Sequence, residues 1–242
     1  MGLMVISYPK SGRTWMRYVM HLAGLEAEFS HAGGSNTPRE MGRMRVPVRP
    51  ERYRDRDLVF LHRNPIDTAI SLFFHLQGKN LVALRSRPLL HWFTRATGRF
   101  PPADLVPFLF HPGFGVEKTC RFNRMWLDRI AVHPRFLVMT YEEMRADPAA
   151  VFGRMFAHAG IEPKRPLAEL VAESSFERMK EVERAGTSDR RIRGELRLDI
   201  ADPANPNTAK VRSGEVRGYR KHLDEGTIAR LQQICARYGF AA

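Results

Sequence analysis

The chain has 242 residues, 43% of them hydrophobic, and 39 Lys and Arg set against 26 Asp and Glu give a net charge of +13. This composition is ordinary for a globular protein, and the length fits one large domain with a substantial core. No apolar run approaches a membrane span, Cys120 and Cys235 lack zinc-ligand spacing and imply no disulfide framework, and the first strand begins too early to leave room for a signal peptide, so a reduced, cytoplasmic setting is expected.

The basic excess attracts polyanions. Much of it is arginine, in the stretches 39–56, 85–99 and 184–197, with no aromatic-interleaved stripe of a nucleic-acid module. The expected partner is a small ligand with several phosphate or sulfate charges, and no nucleic acid. Peripheral contact with an anionic membrane stays open.

In chain order, Leu3–Ser7 is an apolar, β-prone run. Tyr8-Pro9-Lys10-Ser11-Gly12 is a turn, and Trp15, Tyr18, Val19 and Leu22 then recur at helical spacing. Strand, small polar loop and helix make an anion site, because the loop amides and free helical N–H groups converge on one point. Lys10 adds charge, Ser11 and Thr14 add hydroxyls, and Gly12 admits close approach of a ligand. The nucleotide triphosphatase loop is different, since it needs its lysine after the second glycine.

Glu28–His31 reads as a short second strand, and residues 35–56 as a long loop. Leu58–His62 is a fully apolar strand, buried on both faces of a parallel sheet. Arg63-Asn64-Pro65-Ile66-Asp67 follows, with Pro65 and Asp67 suited to the first turn of a helix. Arg63 at the strand end and Ser71 two turns into the helix could close on a second phosphate. Residues 79–115 are irregular and rich in proline and aromatics, which fits either a lid or plain core packing. Val116–Ile130 has helical periodicity, Phe136–Thr140 is a strand, and Ala149–Gly160 is a glycine-closed helix. Residues 186–210 are polar and read as a mobile loop, and Glu225–Tyr238 as a closing helix.

Lys10-Ser11-Gly12-Arg13-Thr14-Trp15, with Tyr8-Pro9 before it, resembles the 5′-phosphosulfate loop of the sulfotransferases that use 3′-phosphoadenosine 5′-phosphosulfate (PAPS). Arg63-Asn64-Pro65-Ile66-Asp67, with Ser71, resembles their 3′-phosphate motif. Tyr141-Glu142-Glu143, ending in Asp147-Pro148, resembles the segment whose tyrosine lies near the adenine. Ser174-Ser175-Phe176, with Met179-Lys180, resembles the segment whose phenylalanine stacks on the base. Arg212-Ser213-Gly214 resembles the Arg-Lys-Gly clamp on the 3′-phosphate, but Ser213 replaces the lysine and Tyr219 the usual tryptophan. The family's C-terminal dimerisation signature is not visible, and the oligomeric state stays open.

The resemblance implies a single α/β domain with a central parallel sheet of about four or five strands, helices on both faces and a P-loop-like turn. It implies transfer of a sulfuryl group from PAPS to a hydroxyl or amine of a small molecule, glycan or lipid, releasing 3′-phosphoadenosine 5′-phosphate (PAP) without a metal. Lys10 would stabilise the leaving group and His31, at the end of the second strand, would be the base. In a competing alignment Arg43-Met44-Arg45-Val46-Pro47 stands at that segment, with arginine in the histidine's place. His62 and His75 are further candidates for the base. An ATP-using kinase and a binding-only relative are the rival classes.

Overall fold

The computed structural model describes residues 2–31, 53, 55–77, 101–129, 133, 135–185, 209 and 211–241. Among the described residues four strands make one parallel sheet: β1 (Leu3–Ser7), β2 (Glu28–Ser30), β3 (Asp57–His62) and β4 (Phe136–Thr140), in the order β2-β1-β3-β4. The register pairs Val5 with Phe29 and with Val59, and Phe60 with Val138.

The helices are α1 (Arg13–Leu22), α2 (Pro65–His75), α3 (Leu105–Phe110), α4 (Val116–Arg129), α5 (Tyr141–Ala146), α6 (Pro148–His158), α7 (Leu167–Glu173), α8 (Phe176–Ala185) and α9 (Glu225–Arg237), with a 3-10 turn at Gly218–Lys221 before the last. Side chains alternate across the strands, so the apolar runs feed two cores. Met4, Ile6, Leu58 and Phe60 pack against α2, α3, α4 and α9, and Leu3, Val5, Val59, Leu61 and Met139 against α1 and α5 to α8. The fold is a single α/β domain with helices on both faces.

The four expected strands are all present, within a residue of their expected ends. His31 falls just past β2, which ends at Ser30. Part of the irregular stretch 79–115 is core: Phe108, Leu109 and Phe114 are fully buried, and Phe108 meets Phe73 edge-on at 5.3 Å. Residues 79–100 of the expected lid, all but residue 209 of the expected mobile loop 186–210, and the competing segment Arg43–Pro47 lie outside the described residues. Cys120 and Cys235 are buried free thiols on α4 and α9, their sulfurs 3.9 Å apart.

Strand order decides where a ligand can bind. The chain leaves β1 toward β2 on one side and later returns to β3 on the other, so the carboxyl ends of β1 and β3 flank a topological switch point. The loop at residues 8–12 follows β1, and Arg63-Asn64 follows β3.

Candidate functional site

Each segment at the switch point is held by local chemistry. Gly12 is the N-cap of α1 and lies at φ 100°, so it offers no side chain to the helix's first amides and leaves them for a ligand. A Cβ on Gly12 would come within 2.5 Å of the Tyr141 ring, so only glycine fits. Lys10 also has a positive φ, 72°, a strained conformation of the kind found at binding loops. The hydroxyl of Ser11 is buried with no protein partner. At β3 the Asn64 side chain accepts from the amides of Ile66 and Asp67 and caps α2, while its own amide donates to Glu142.

Asp67 binds the two halves of the site together. The sequence assigned it only to the positive end of α2. Its buried carboxylate accepts from the backbone amides of Arg217 at 2.7 Å and Tyr219 at 2.9 Å, and lies 3.8 Å from the Arg63 guanidinium. Burial raises its pKa, against the lowering influence of Arg63 and of the two amides. Nothing local could have revealed this, because the partners lie 150 residues further along the chain. Asp67→Asn would present an NH2 group to one of two N–H donors. The expected cost is about 1–3 kcal/mol. Thermal unfolding should read this as a drop of roughly 2–10 °C; an unchanged midpoint would show that the joint carries little.

Arg63 is buried, and its Nη2 donates to the Glu215 carbonyl at 2.8 Å. Its guanidinium stacks on the Tyr141 ring at 4.3 Å, and its Nε has no protein partner. Tyr141 in turn donates its hydroxyl to the Gly214 carbonyl. Tyr141 is thereby a joint between the loop, Arg63 and the last segment. Phe176, at the start of α8, is the half-buried aromatic ring of the site, with Arg145 and Lys180 about 6 Å from its centre. Gly214, at φ 64°, lies against it: a Cβ there would stand 2.5 Å from Phe176 Cδ2. Trp15 donates to Ser174 and meets Tyr141 edge-on, which fixes α1 against both segments.

Arg212 stacks on Phe74 at 4.4 Å. Ser71 lies one turn before Phe74 on α2. Ser213 is half-buried between Arg212 and Gly214. Lys10, Arg63 and Arg212 are near enough to repel one another. Burial pushes the Lys10 ammonium down from 10.5 to about 8, Arg63 and Arg212 push the same way, and Glu183 opposes them. Arg212 is lowered too, by burial and then by Arg63. This concentration of positive charge calls for a polyanion.

Lys10 in the folded protein holds its proton less tightly than in the unfolded chain, so its burial costs stability below pH 8, and that cost fades as the pH rises toward 10.5. A bound polyanion reverses the shift. Binding of PAP, the polyanion that the sequence resemblance implies, should therefore take up protons at pH 8–9 and should not at pH 6, by calorimetry in buffers of different ionisation enthalpy. Lys10→Met should lose the uptake; heats independent of the buffer at pH 8.5 would contradict the arrangement.

His31 is buried beside this loop. Its Nδ1 lies 2.9 Å from the Ser7 carbonyl oxygen, and its Nε2 lies 2.5 Å from Arg13 Nη2. Of the other histidines considered, His62 is half-buried, is pushed down to about 4 by burial and packs on Phe60 and Phe240. His75 ends α2. Among the described residues no group of three or more His, Cys, Asp or Glu is placed to hold a metal, and no helix is long and apolar enough to cross a membrane.

The model of the sulfotransferase domain matches residues 53–238, about three quarters of the chain. The chain belongs to the sulfotransferase family. The matched part holds Arg63, Ser71, Tyr141, Phe176 and Arg212, and the loop at residues 8–12 precedes it. Comparison with curated proteins finds no match to this sequence. Among solved structures, the sulfotransferase fold here is similar to mouse sulfotransferase SULT7A1 complexed with PAP, with a TM-score of 0.65, 17% identity, and 96% of this chain and 82% of that one covered. It is also similar to retinol dehydratase in complex with androsterone and the inactive cofactor PAP, with a TM-score of 0.55, 16% identity, and 98% and 80% covered. Retinol dehydratase with retinol and PAP gives a TM-score of 0.54 at 17% identity over the same shares. At these identities the likeness establishes the fold.

Proposed function

We propose that this sulfotransferase takes its sulfuryl group from PAPS and passes it to a hydroxyl or amine of a small-molecule, glycan or lipid acceptor, releasing PAP. The observation that carries the reading is the meeting of Lys10, Arg63 and Arg212 around an uncapped helix N-terminus at the switch point, beside the half-buried ring of Phe176. Three cations with one aromatic face suit a nucleotide bearing two separate anionic ends. The presence of PAP in the similar solved structures supports the same reading.

In this account the amides of residues 10–14, with Ser11 and Thr14, hold the 5′-phosphosulfate. The unpartnered Nε of Arg63, together with Ser71, Arg212 and Ser213, takes the 3′-phosphate. Phe176 stacks on the adenine, and Tyr141 keeps Arg63 and Gly214 in place. The acceptor oxygen or nitrogen bonds to sulfur as the sulfur–oxygen bond to the 5′-phosphate breaks. The acceptor proton passes to His31, and the electron pair of the broken bond stays with PAP. Lys10 stabilises the charge growing on the bridging oxygen.

Thermal shift tests the nucleotide. PAP at a hundred times its Kd should stabilise the fold by about 2.7 kcal/mol, and ATP with magnesium should not. Equal stabilisation by both would favour the kinase reading. Labelled PAPS incubated with fractionated extract, followed by mass spectrometry, then identifies the acceptor. Androsterone and retinol in the similar structures make small hydroxylated lipids the first compounds to try. PAP binding with no labelled product from any fraction would leave the binding-only relative.

A further inference from the structure

The geometry points to Arg13 as a positioning residue that covers the base nitrogen of His31 until an anion enters the loop; this rests on the reading of His31 as base. The ring's protonation pattern follows from its partners. The Ser7 carbonyl can only accept, so Nδ1 carries the proton and Nε2 carries the lone pair. An arginine can only donate, and Arg13 Nη2 sits on that lone pair at 2.5 Å. The nitrogen that would receive the acceptor's proton is thus occupied by a guanidinium.

Arg13 is also the first residue of α1, directly after Gly12, at the helix end where the anion would lie. Its side chain therefore lies on a neutral imidazole and within reach of a phosphate or sulfonate bound at that helix end, to which guanidinium makes paired, charge-assisted bonds of roughly twice the strength. Donor binding draws Arg13 off Nε2 and places it on the anion. His31 meanwhile keeps its orientation through Ser7, so its lone pair is exposed only once an anion occupies the loop. On the elements around His31, among the described residues, the other charged groups are Arg17 of α1, stacked on Phe29, Lys10 of the loop, and Glu28 of β2, which pairs with Arg56.

The test uses full-length protein with 15N-labelled histidine and follows the His31 ring nitrogens by NMR while PAP is titrated. In the parent, PAP should move the Nε2 resonance and leave Nδ1, held by Ser7, nearly still. In Arg13→Gln without ligand, Nε2 should already differ from the parent, and PAP should move it several-fold less. Arg13→Lys should restore part of the PAP-dependent movement. An equal response in parent and Arg13→Gln, or no Nε2 response in the parent despite bound PAP, would overturn the role given to Arg13 and leave the proposed function standing. Failure of PAP to bind would overturn both. Parent-like turnover in His31→Gln would remove the base reading, and with it the covering role.

Discussion

Lys10→Ala is expected to lower kcat by about a hundred- to a thousandfold, the scale for losing one group that stabilises transition-state charge. PAP affinity should fall far less. The loop amides, the end of α1, Arg63 and Arg212 all remain to hold the product, whereas the lysine's main work falls on charge that grows only as the sulfur–oxygen bond breaks. The strained backbone and the lowered pKa of Lys10 fit this division, since both hold an ammonium group at some cost in the empty protein. Steady-state kinetics beside calorimetry on PAP decides it. Equal losses in the two would make Lys10 a binding residue only.

His31→Ala is expected to cut the sulfation rate by about a hundredfold or more, the usual contribution of a positioned general base. Folding should survive. The ring is buried at the edge of the sheet and anchored by Ser7, but β2 pairs with β1 through the backbone of Glu28 to Ser30. PAP affinity should stay close to the parent value, because His31 faces the sulfuryl end of the donor in this account and the 3′-phosphate lies at Arg63. A variant that sulfates at the parent rate would require another base, or an acceptor acidic enough to need none.

How much of this was legible in the sequence depends on the range of each interaction. Leu3–Ser7 and Leu58–His62 could be read as strands because a strand buried on both faces is an unbroken apolar run, and Phe136–Thr140 carries a similar run although, at the sheet edge, most of it is only half-buried. The loop could be read because its parts, Lys10, Ser11 and Gly12, are consecutive. Pro65 and Asp67 announced a helix start for the same reason, and the capping by Asn64, which the sequence reading did not pick out, agrees with it. The role of Asp67 in holding the last segment could not be read, because it depends on two amides that only the folded chain brings near. Tyr141 likewise gave no sign in sequence that its ring fills the space beside Gly12 or that Arg63 lies over it. The proline-rich stretch around Phe108 and Phe114 was ambiguous because its irregular spacing hides which aromatics face inward; in the fold both are core. The contact between Arg13 and His31 joins the start of α1 to the end of β2, and no local pattern marks it.

The central claim is that the site recognises a nucleotide by its 3′-phosphate as well as its 5′ end. Calorimetry of PAP against adenosine 5′-phosphate measures this without knowledge of the acceptor. PAP should bind at least about tenfold more tightly, equivalent to about 1.4 kcal/mol. Arg63→Ala should abolish most of that preference while changing adenosine 5′-phosphate affinity little. Equal affinity for the two nucleotides in the parent protein, or a preference that survives Arg63→Ala intact, would contradict the account.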